Sequence, residues 1–388
     1  MTATARAADR PVACVIGEID LVRALGLGGI RSVVCSPPGD FTRYSRFTEA
    51  AIDPGGPSAR AEDLVERLLE FARAQPAKPV LFYDGDWDLL MVSRFREALG
   101  EGFRFVVPDA ELVEDLADKS RFESLAARMA LPVPATARLA PGRSAAEAGL
   151  RFPVVVKPLT REHSTWKPFA AAKVIQVEDG AALEHLWSRL SRAGIDAVAQ
   201  ELVPGSESRI ESYHAYVDGD GRVAAEFTGR KIRTFPPAHG YSTALVVTQA
   251  DDVARLGRDI LERLRFRGVA KLDFKRHPAD GQLHLLEINP RFNLWHHVGA
   301  RAGVNLPATV YRDLVGLPRQ RPGPATPGVS WVNPWRDAAA ARLAGLPLRR
   351  WLPWAIRCEA KCAFAWDDPL PLIGAALHRA RRRVRRRH

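Results

Sequence analysis

The stretch from Gly268 to Arg291, GVAKLDFKRHPADGQLHLLEINPR, constrains this 388-residue chain more than any other. Read with the two-residue period of a β-strand, Lys271, Asp273 and Lys275 share one face, and Ala270, Leu272 and Phe274 share the other. Beyond the turn HPADG, Glu287 and Asn289 share a face, with Leu286 and Ile288 opposite. A hairpin symmetric about Asp280 sets Asp273 against Glu287 and Lys271 against Asn289. Opposed side chains in an antiparallel pair have Cβ atoms ~5 Å apart, where two carboxylates repel, so something positive belongs between them. Lys271 and Lys275 would meet that need. A divalent cation explains more of the pattern, because Asp273, Glu287 and the Asn289 carbonyl are three hard oxygen ligands on one side, a set that suits magnesium carrying nucleotide phosphates.

Upstream, residues 11–107 alternate short apolar runs with helical stretches: VACVIG, DLVRALGLG, SVVCS, AEDLVERLLEFARA, VLFYDG, DLLMVSRFREAL, FRFVVP. This βαβ rhythm predicts a mostly parallel sheet with helices on its faces over 11–110. Gly17, Gly26, Gly28 and Gly29 lack the G-x-G-x-x-G spacing, so no nucleotide fingerprint is present in that unit. A helix-rich piece, Glu111 to Ala130, ends at the prolines of LPVP. From Phe152 the signals turn antiparallel, with VVVKP, AAKVIQV, AVAQELV and a hairpin about Asp218-Gly219-Asp220-Gly221. The expected organisation is 11–110, linker helices and a small subdomain over 111–200, a main antiparallel unit over 201–317, a Pro/Gly linker over 318–328, and a Trp-rich segment with an Arg-rich tail over 329–388.

In combination these residues resemble the ATP-grasp superfamily. The resemblance rests on Asp273, then Glu287-x-Asn289-Pro290-Arg291, on Lys157 in its strand, and on Gln200-Glu201-Leu202-Val203 before Pro204-Gly205. The longer strings GRKIRTFPPAHGYST, Gly229 to Thr243, and LEINPRFNLWHHVGARAGVNLP, Leu286 to Pro307, are similar to its carboxylate-amine ligases, the branch that includes D-aspartate ligase-like enzymes. The resemblance implies an α/β and α+β ATP-grasp fold: a Rossmann-like pre-ATP-grasp domain, a small central lid and an antiparallel C-terminal domain, with ATP between the last two. It implies that Lys119 and Lys157 contact the nucleotide and its phosphates. Glu201, Leu202 and Val203 would be the hinge that meets the adenine edge, and Glu207 would accept the ribose hydroxyls. Lys231 would contact phosphates, with Arg233 beside it in the catalytic set. Asp273, Glu287 and Asn289 would hold Mg2+, and Arg291 would face the transferring phosphoryl group. The activity implied is ATP-dependent activation of a small-molecule carboxylate as an acyl phosphate and its joining to an amine. A hydroxyl or thiol acceptor, or a nucleotide-binding scaffold without ligase activity, are the alternatives.

Other readings stand beside these. Lys119 fits a solvated helix charge, and Arg230, Lys231 and Arg233 fit an exposed edge strand guarded by charge. The loop PPAHGYST after them is expected to be a substrate lid. His296 and His297 point to different faces of a helix, so packing is expected rather than joint metal binding. The loop LTREHSTWKPFAAAK has no glycine to let backbone amides approach phosphates, leaving Ser164 and Thr165 as donors. Four cysteines, two of them in apolar runs, make no disulfide framework and point to a reducing cytoplasm. Cys358 and Cys362 read as ordinary thiols.

Of the net charge of +11, seven positive charges fall in the last ten residues, leaving a mildly basic body for which nucleic acid is not an expected partner. No uncharged stretch reaches the ~18 residues of a membrane span. Residues 346–388 carry Trp351, Trp354 and Trp366, an apolar stretch from Leu370 to Leu377, and the arginines. The tryptophans are expected on the body with a solvated tail. The alternative is peripheral contact of 379–388 with an anionic membrane at the cytoplasmic face.

Overall fold

The computed structural model describes residues 10–56, 60–139, 149–159, 166, 169, 174–319, 323–362 and 364–385, the last seven as backbone only. Three sheets organise it. The first is parallel, in the order β3-β2-β1-β4, from β1 (Ala13–Ile16), β2 (Ser32–Cys35), β3 (Thr48–Ile52) and β4 (Val80–Tyr83). Strands β1, β2 and β4 are buried at every position, as continuous apolar runs between two helical layers must be. The helix Ala61–Arg73 turns Leu64, Val65, Leu68 and Ala72 inward from one stripe.

The helical piece after this sheet is two helices, Ala110–Ala117 and Lys119–Arg128. Asp118 breaks them, because its carboxylate caps the second by accepting from the Ser120 and Arg121 amides. A small antiparallel sheet follows, β5-β8-β6-β7, from β5 (Thr136–Leu139), β6 (Val154–Pro158), β7 (Ile175–Val177) and β8 (Ala197–Glu201). The helix Gly180–Arg192 buries Leu183, Leu186, Trp187 and Leu190 in the core of this unit.

The largest sheet has seven strands, β13-β12-β9-β10-β11-β14-β15. They are β9 (Ile210–Val217), β10 (Val223–Phe235), β11 (Tyr241–Thr248), β12 (Gly268–Arg276), β13 (Leu283–Asn289), β14 (Ser330–Val332) and β15 (Ala360–Lys361). All pairs are antiparallel except β14 with β15. Residues beyond the Pro/Gly stretch therefore lengthen this sheet instead of hanging from it.

The β12–β13 register sets Lys271 against Asn289 and Asp273 against Glu287, as the symmetric hairpin requires. One detail differs. A bulge follows, so that Phe274 faces Leu285 and Lys275 faces His284. The extra residue is Leu286, which is half-buried, while Leu285 takes the core position expected of it. The edge-strand reading of Arg230, Lys231 and Arg233 is also corrected. Strand β10 lies between β9 and β11, so its charges stand inside a sheet and answer to partners there. A second bulge falls between Lys231 and Arg233.

Candidate active site

The apolar face of β12 sets Ala270, Leu272 and Phe274, each 0 % exposed, in one core with the helices Lys119–Arg128 and Asp251–Arg263. Its other face is polar. Directly paired residues share a face, so Ser212 and His214 of β9 join Asp273 and Lys271 there, and Gly229 of β10 joins Ser212. Helix Trp295–Arg301 covers the lower part of that face. It comes so close that a Cβ on Gly229 would stand 2.1 Å from the Trp295 ring, which is why glycine is required. The part bearing Lys231, Asp273 and Lys275 remains as the floor of a charged cleft.

Asp273, 1 % exposed, is the most enclosed carboxylate of this floor. Its Oδ2 accepts from Lys271 Nζ at 2.6 Å and lies 3.5 Å from Lys231 Nζ, while its Oδ1 accepts from the Ser212 hydroxyl. Lys271 also lies 3.9 Å from Glu287 Oε1, and Asn289 donates from Nδ2 to the same oxygen at 3.0 Å. The pair of opposed carboxylates thus has the positive neighbour that its repulsion demands, and Lys271 supplies it. Lys275 instead approaches Glu207 at 3.8 Å.

The small sheet presents two more cations. Lys157, near the end of β6, donates to Gln200 Oε1 at 2.7 Å, and Gln200 donates in turn to Thr136. Lys119, at the first turn of its helix because Asp118 caps it, donates to the Pro158 carbonyl. Burial, and then the neighbouring Lys157, lower the Lys119 ammonium to about 8. Burial lowers Lys157 too, against the pull of Glu287 and Glu207. For Lys231 burial works the same way, but Asp273, Glu287 and Glu207 prevail and raise it. Glu287 is the hub: Lys119, Lys157, Lys231 and Arg291 all feel its charge.

Arg291 leaves the end of β13 toward the parallel sheet. Its Nε donates to Asp86 Oδ1 at 2.7 Å and its Nη1 to the Asp84 carbonyl at 2.6 Å. It therefore ties the cleft to the loop after β4. There, burial pushes the Asp84 carboxyl up to about 7 and Asp88 up to about 6. An unfolded Asp ionises near pH 4, so folding takes up a proton on Asp84 between about pH 4 and 7, and stability falls as pH rises through that window. The Asp84→Asn variant is expected to melt several degrees above the parent at pH 8 and level with it near pH 4. Thermal denaturation across that range checks this.

The hinge is only partly as expected. The Glu201 amide donates to Ala135 and the Leu202 amide to Pro153, and the Glu201 carboxylate pairs with Arg151 at 2.9 Å. Among the described residues, no such bond is formed by the amide of the third, Val203. Arg233 is not brought to the cluster. The bulge after Lys231 turns it toward Asp337, which it grips through Nε at 2.9 Å and Nη2 at 2.6 Å, beneath the Trp354 ring. The loop PPAHGYST bends at His239, which has φ +56. Burial lowers the His239 imidazole, while Glu207 opposes this and Lys275 and Lys157 add to it, so the loop lies beside the cluster. Ser164, Thr165 and most of the glycine-free loop lie outside the described residues. His296 and His297 are fully buried and diverge: His297 meets Asp20 at 2.9 Å, and His296 packs edge-on to Phe292.

Lys271, Lys275, Gln200, Ser212, His239 and Asp86 complete the neighbourhood; the sequence offers Lys271 and Lys275 only as neutralising charges and Gln200 only within its motif, and gives no role to the other three. One signal for the lysines was available. The chain has only nine lysines, and Lys119, Lys157, Lys231, Lys271 and Lys275 are five of them, although arginine serves almost everywhere else. A compact ammonium with three rotatable donors suits a phosphate-bearing cleft.

The donor set fits magnesium: two carboxylates and an amide oxygen on one face, of which Glu287, 44 % exposed, is open to the cleft. Among the described residues no cluster of three or more His, Cys, Asp or Glu forms an all-protein metal cage.

No family model matches the chain. It is 26 % identical over 288 residues to the D-aspartate ligase of Enterococcus faecium, covering 71 % of this chain and 68 % of that protein. Among solved structures, the ADP complex of N5-carboxyaminoimidazole ribonucleotide synthetase superposes with a TM-score of 0.64 at 14 % identity, over 87 % of this chain and 85 % of that one. Biotin carboxylase from Campylobacter jejuni gives 0.61 at 14 %, over 81 % and 73 %. The L-amino acid ligase from Bacillus licheniformis gives 0.58 at 15 %, over 81 % and 75 %. The chain has the ATP-grasp fold.

Proposed function

We propose that the protein is an ATP-dependent ligase that joins a carboxylate to an amine. The observation that carries this reading is the charged face on which Lys271 lies 2.6 Å from Asp273 and 3.9 Å from Glu287 and Lys231 lies 3.5 Å from Asp273, with Lys119, Lys157 and Arg291 near enough to feel the Glu287 charge. Phosphoryl transfer needs dispersal of charge and positioning more than a covalent nucleophile, and such a cleft provides both. The similarity to D-aspartate ligase supports the same reaction class.

In this reading Lys119 and Lys157 lie along the phosphates, the Val203 amide meets the adenine edge, and Glu207, steadied by Lys275, accepts from the ribose hydroxyls. Magnesium held by Asp273, Glu287 and Asn289 supplies charge neutralisation at the terminal phosphates. Lys231 and Arg291 orient the group in flight. A substrate carboxylate oxygen attacks the γ-phosphorus and ADP leaves with the electron pair of the broken bond. The amine nitrogen then attacks the acyl carbon, phosphate departs, and the nitrogen loses its proton to give the amide.

The test is ADP release over a panel of amino acids and small acids, each with and without an amine acceptor. Release that requires both, with an amide product by mass spectrometry, is expected. A hydroxamate-trapped acyl phosphate with an ester or thioester product would shift the acceptor class, and ATP binding without turnover on any pair would leave a scaffold. In the same protein Lys157→Ala is expected to weaken ATP binding about tenfold or more by calorimetry, ~1.4 kcal/mol or above, with the melting temperature of the free protein little changed. Equal ATP affinity would make Lys157 structural only.

A further inference from the structure

The last third of the fold carries an exposed apolar surface that the ligase chemistry does not use. Among the described residues fourteen large hydrophobic side chains are exposed to solvent, and nine of them lie from Trp335 to Leu377. They are ordered. Leu348, Leu352 and Ile356, each about half exposed, recur every four residues along the helix Leu348–Arg357 and form one line. Leu370, Ile373 and Leu377, also about half exposed, form a second line along the helix Leu370–Arg385. Ile356 at the end of the first line borders one shallow groove with Trp366, an indole that is 75 % exposed and stands four residues before Leu370 in the chain.

The opposite sides of both helices are anchored. Trp351 donates to Asp337, and Trp354 stacks on Arg233. Gly374 lies so near Tyr44 that a Cβ would stand 2.3 Å from its ring, and the following Ala375 is fully buried. The tryptophans thus divide, with Trp351 and Trp354 on the body as expected and Trp335 and Trp366 facing out, at 68 % and 75 % exposed. The apolar lines are the free faces of two docked helices.

Charge decides what would cover them. Residues 336–388 hold thirteen Lys and Arg against four Asp and Glu, a net +9 of the chain's +11. Two of the acids are turned inward, since Asp337 and Asp368 are 0 % exposed and pair with Arg233 and Arg23; the other two are engaged nearer the surface, Asp367 with Arg301 and the exposed Glu359 with the Ser330 amide. Exposed Arg349, Arg350 and Arg357 flank the first line, the helix of the second runs on through Arg379, Arg381, Arg382, Arg383 and Arg385, and the sequence adds Arg386 and Arg387. Apolar lines, solvent-facing indoles and a dense positive charge whose few acids are paired or bonded are the requirements of a surface that lies on anionic lipid. Among the described residues no helix is long and apolar enough to cross a membrane.

We propose that this face docks the protein on the surface of an anionic bilayer, with Leu348, Leu352, Ile356, Trp366, Ile373 and Leu377 at the headgroup boundary and the arginines against lipid phosphates. The proposal is independent of the ligase reading. Each basic residue near such a surface strengthens binding roughly fivefold, so the seven tail arginines dominate affinity while the apolar lines fix the orientation.

The experiment is co-sedimentation of the full chain with phosphatidylcholine vesicles, with and without phosphatidylglycerol. Binding is expected only to the anionic vesicles. It should be lost as salt rises from 0.1 to 1 M, which shortens the Debye length from ~10 to ~3 Å. Deleting Arg379–His388, and separately Ile373→Glu with Leu377→Glu, are each expected to weaken it about tenfold or more, with an unchanged circular dichroism spectrum. Equal binding to neutral vesicles, binding to neither, or binding indifferent to the two glutamates overturns the proposal. So does a homodimer in light scattering that the glutamates dissociate, or duplex DNA bound in place of vesicles.

Discussion

Replacing Glu287 with Gln is expected to lower ADP release by about a thousandfold, ~4 kcal/mol of barrier, while leaving the protein folded. The size follows from where the carboxylate sits. Asp273 is enclosed and already bonded to Ser212 and Lys271, so its charge is largely committed to protein. Glu287 is 44 % exposed and is the carboxylate that Lys119, Lys157, Lys231 and Arg291 all share. Gln keeps the shape, and its amide oxygen still accepts from Asn289, but the negative charge is gone. Four cations then repel one another with less to hold them, and a metal loses a hard anionic ligand. Because the side chain is not part of any apolar core, the melting temperature should change by only a few degrees. Turnover measured beside thermal denaturation decides it. An unchanged rate would remove Glu287 from the metal set, and equal loss of rate and of folded protein would make it a structural charge.

The parts of this site that could be read from the sequence are those fixed by short-range geometry. A strand has period two, and a five-residue turn leaves few registers, so the opposition of Asp273 to Glu287 and of Lys271 to Asn289 followed from residues 268–291 alone. The apolar runs of β1, β2 and β4 were equally legible, since full burial leaves only one kind of side chain acceptable. Contacts that depend on bulges or on distant chain were not. The bulge after Asp273 exchanged Leu285 for Leu286 in the core, and the bulge after Lys231 sent Lys231 and Arg233 to different carboxylates. Nothing near Arg291 in sequence announces Asp86, which lies 205 residues away. Strands β14 and β15, of three and two residues, are too short to show any periodicity. The exposed edge of β11 offers β14 a ladder, and β14 in turn offers one to β15. Residue identity nevertheless held information that spacing did not: lysine, rare in this chain, is concentrated where phosphates are proposed to lie.

Arg233 is where neighbouring sequence and three-dimensional placement lead to opposite expectations, and Arg233→Ala should separate them. By sequence it stands two residues from Lys231 in a basic run. In the fold its guanidinium makes two bonds to Asp337, which is 0 % exposed and also accepts from Thr243 at 2.7 Å and Trp351 at 2.7 Å. Truncation leaves Asp337 with two neutral donors and no counter-charge, and breaking such a pair by removing one partner costs about 3–5 kcal/mol. The loss should appear as a large fall in melting temperature, with ATP affinity of the remaining folded protein unchanged. Asp337→Asn should cost less, because the amide oxygen still accepts while no buried anion is stranded. Removing both charges with Arg233→Met and Asp337→Leu should recover part of the stability lost by Arg233→Ala, since no unpaired ion then remains. A chemical role would give the reverse: Arg233→Ala would keep its melting temperature and lose turnover. The double variant would then be as inactive as the single, because no change at Asp337 can restore a cation to the cleft.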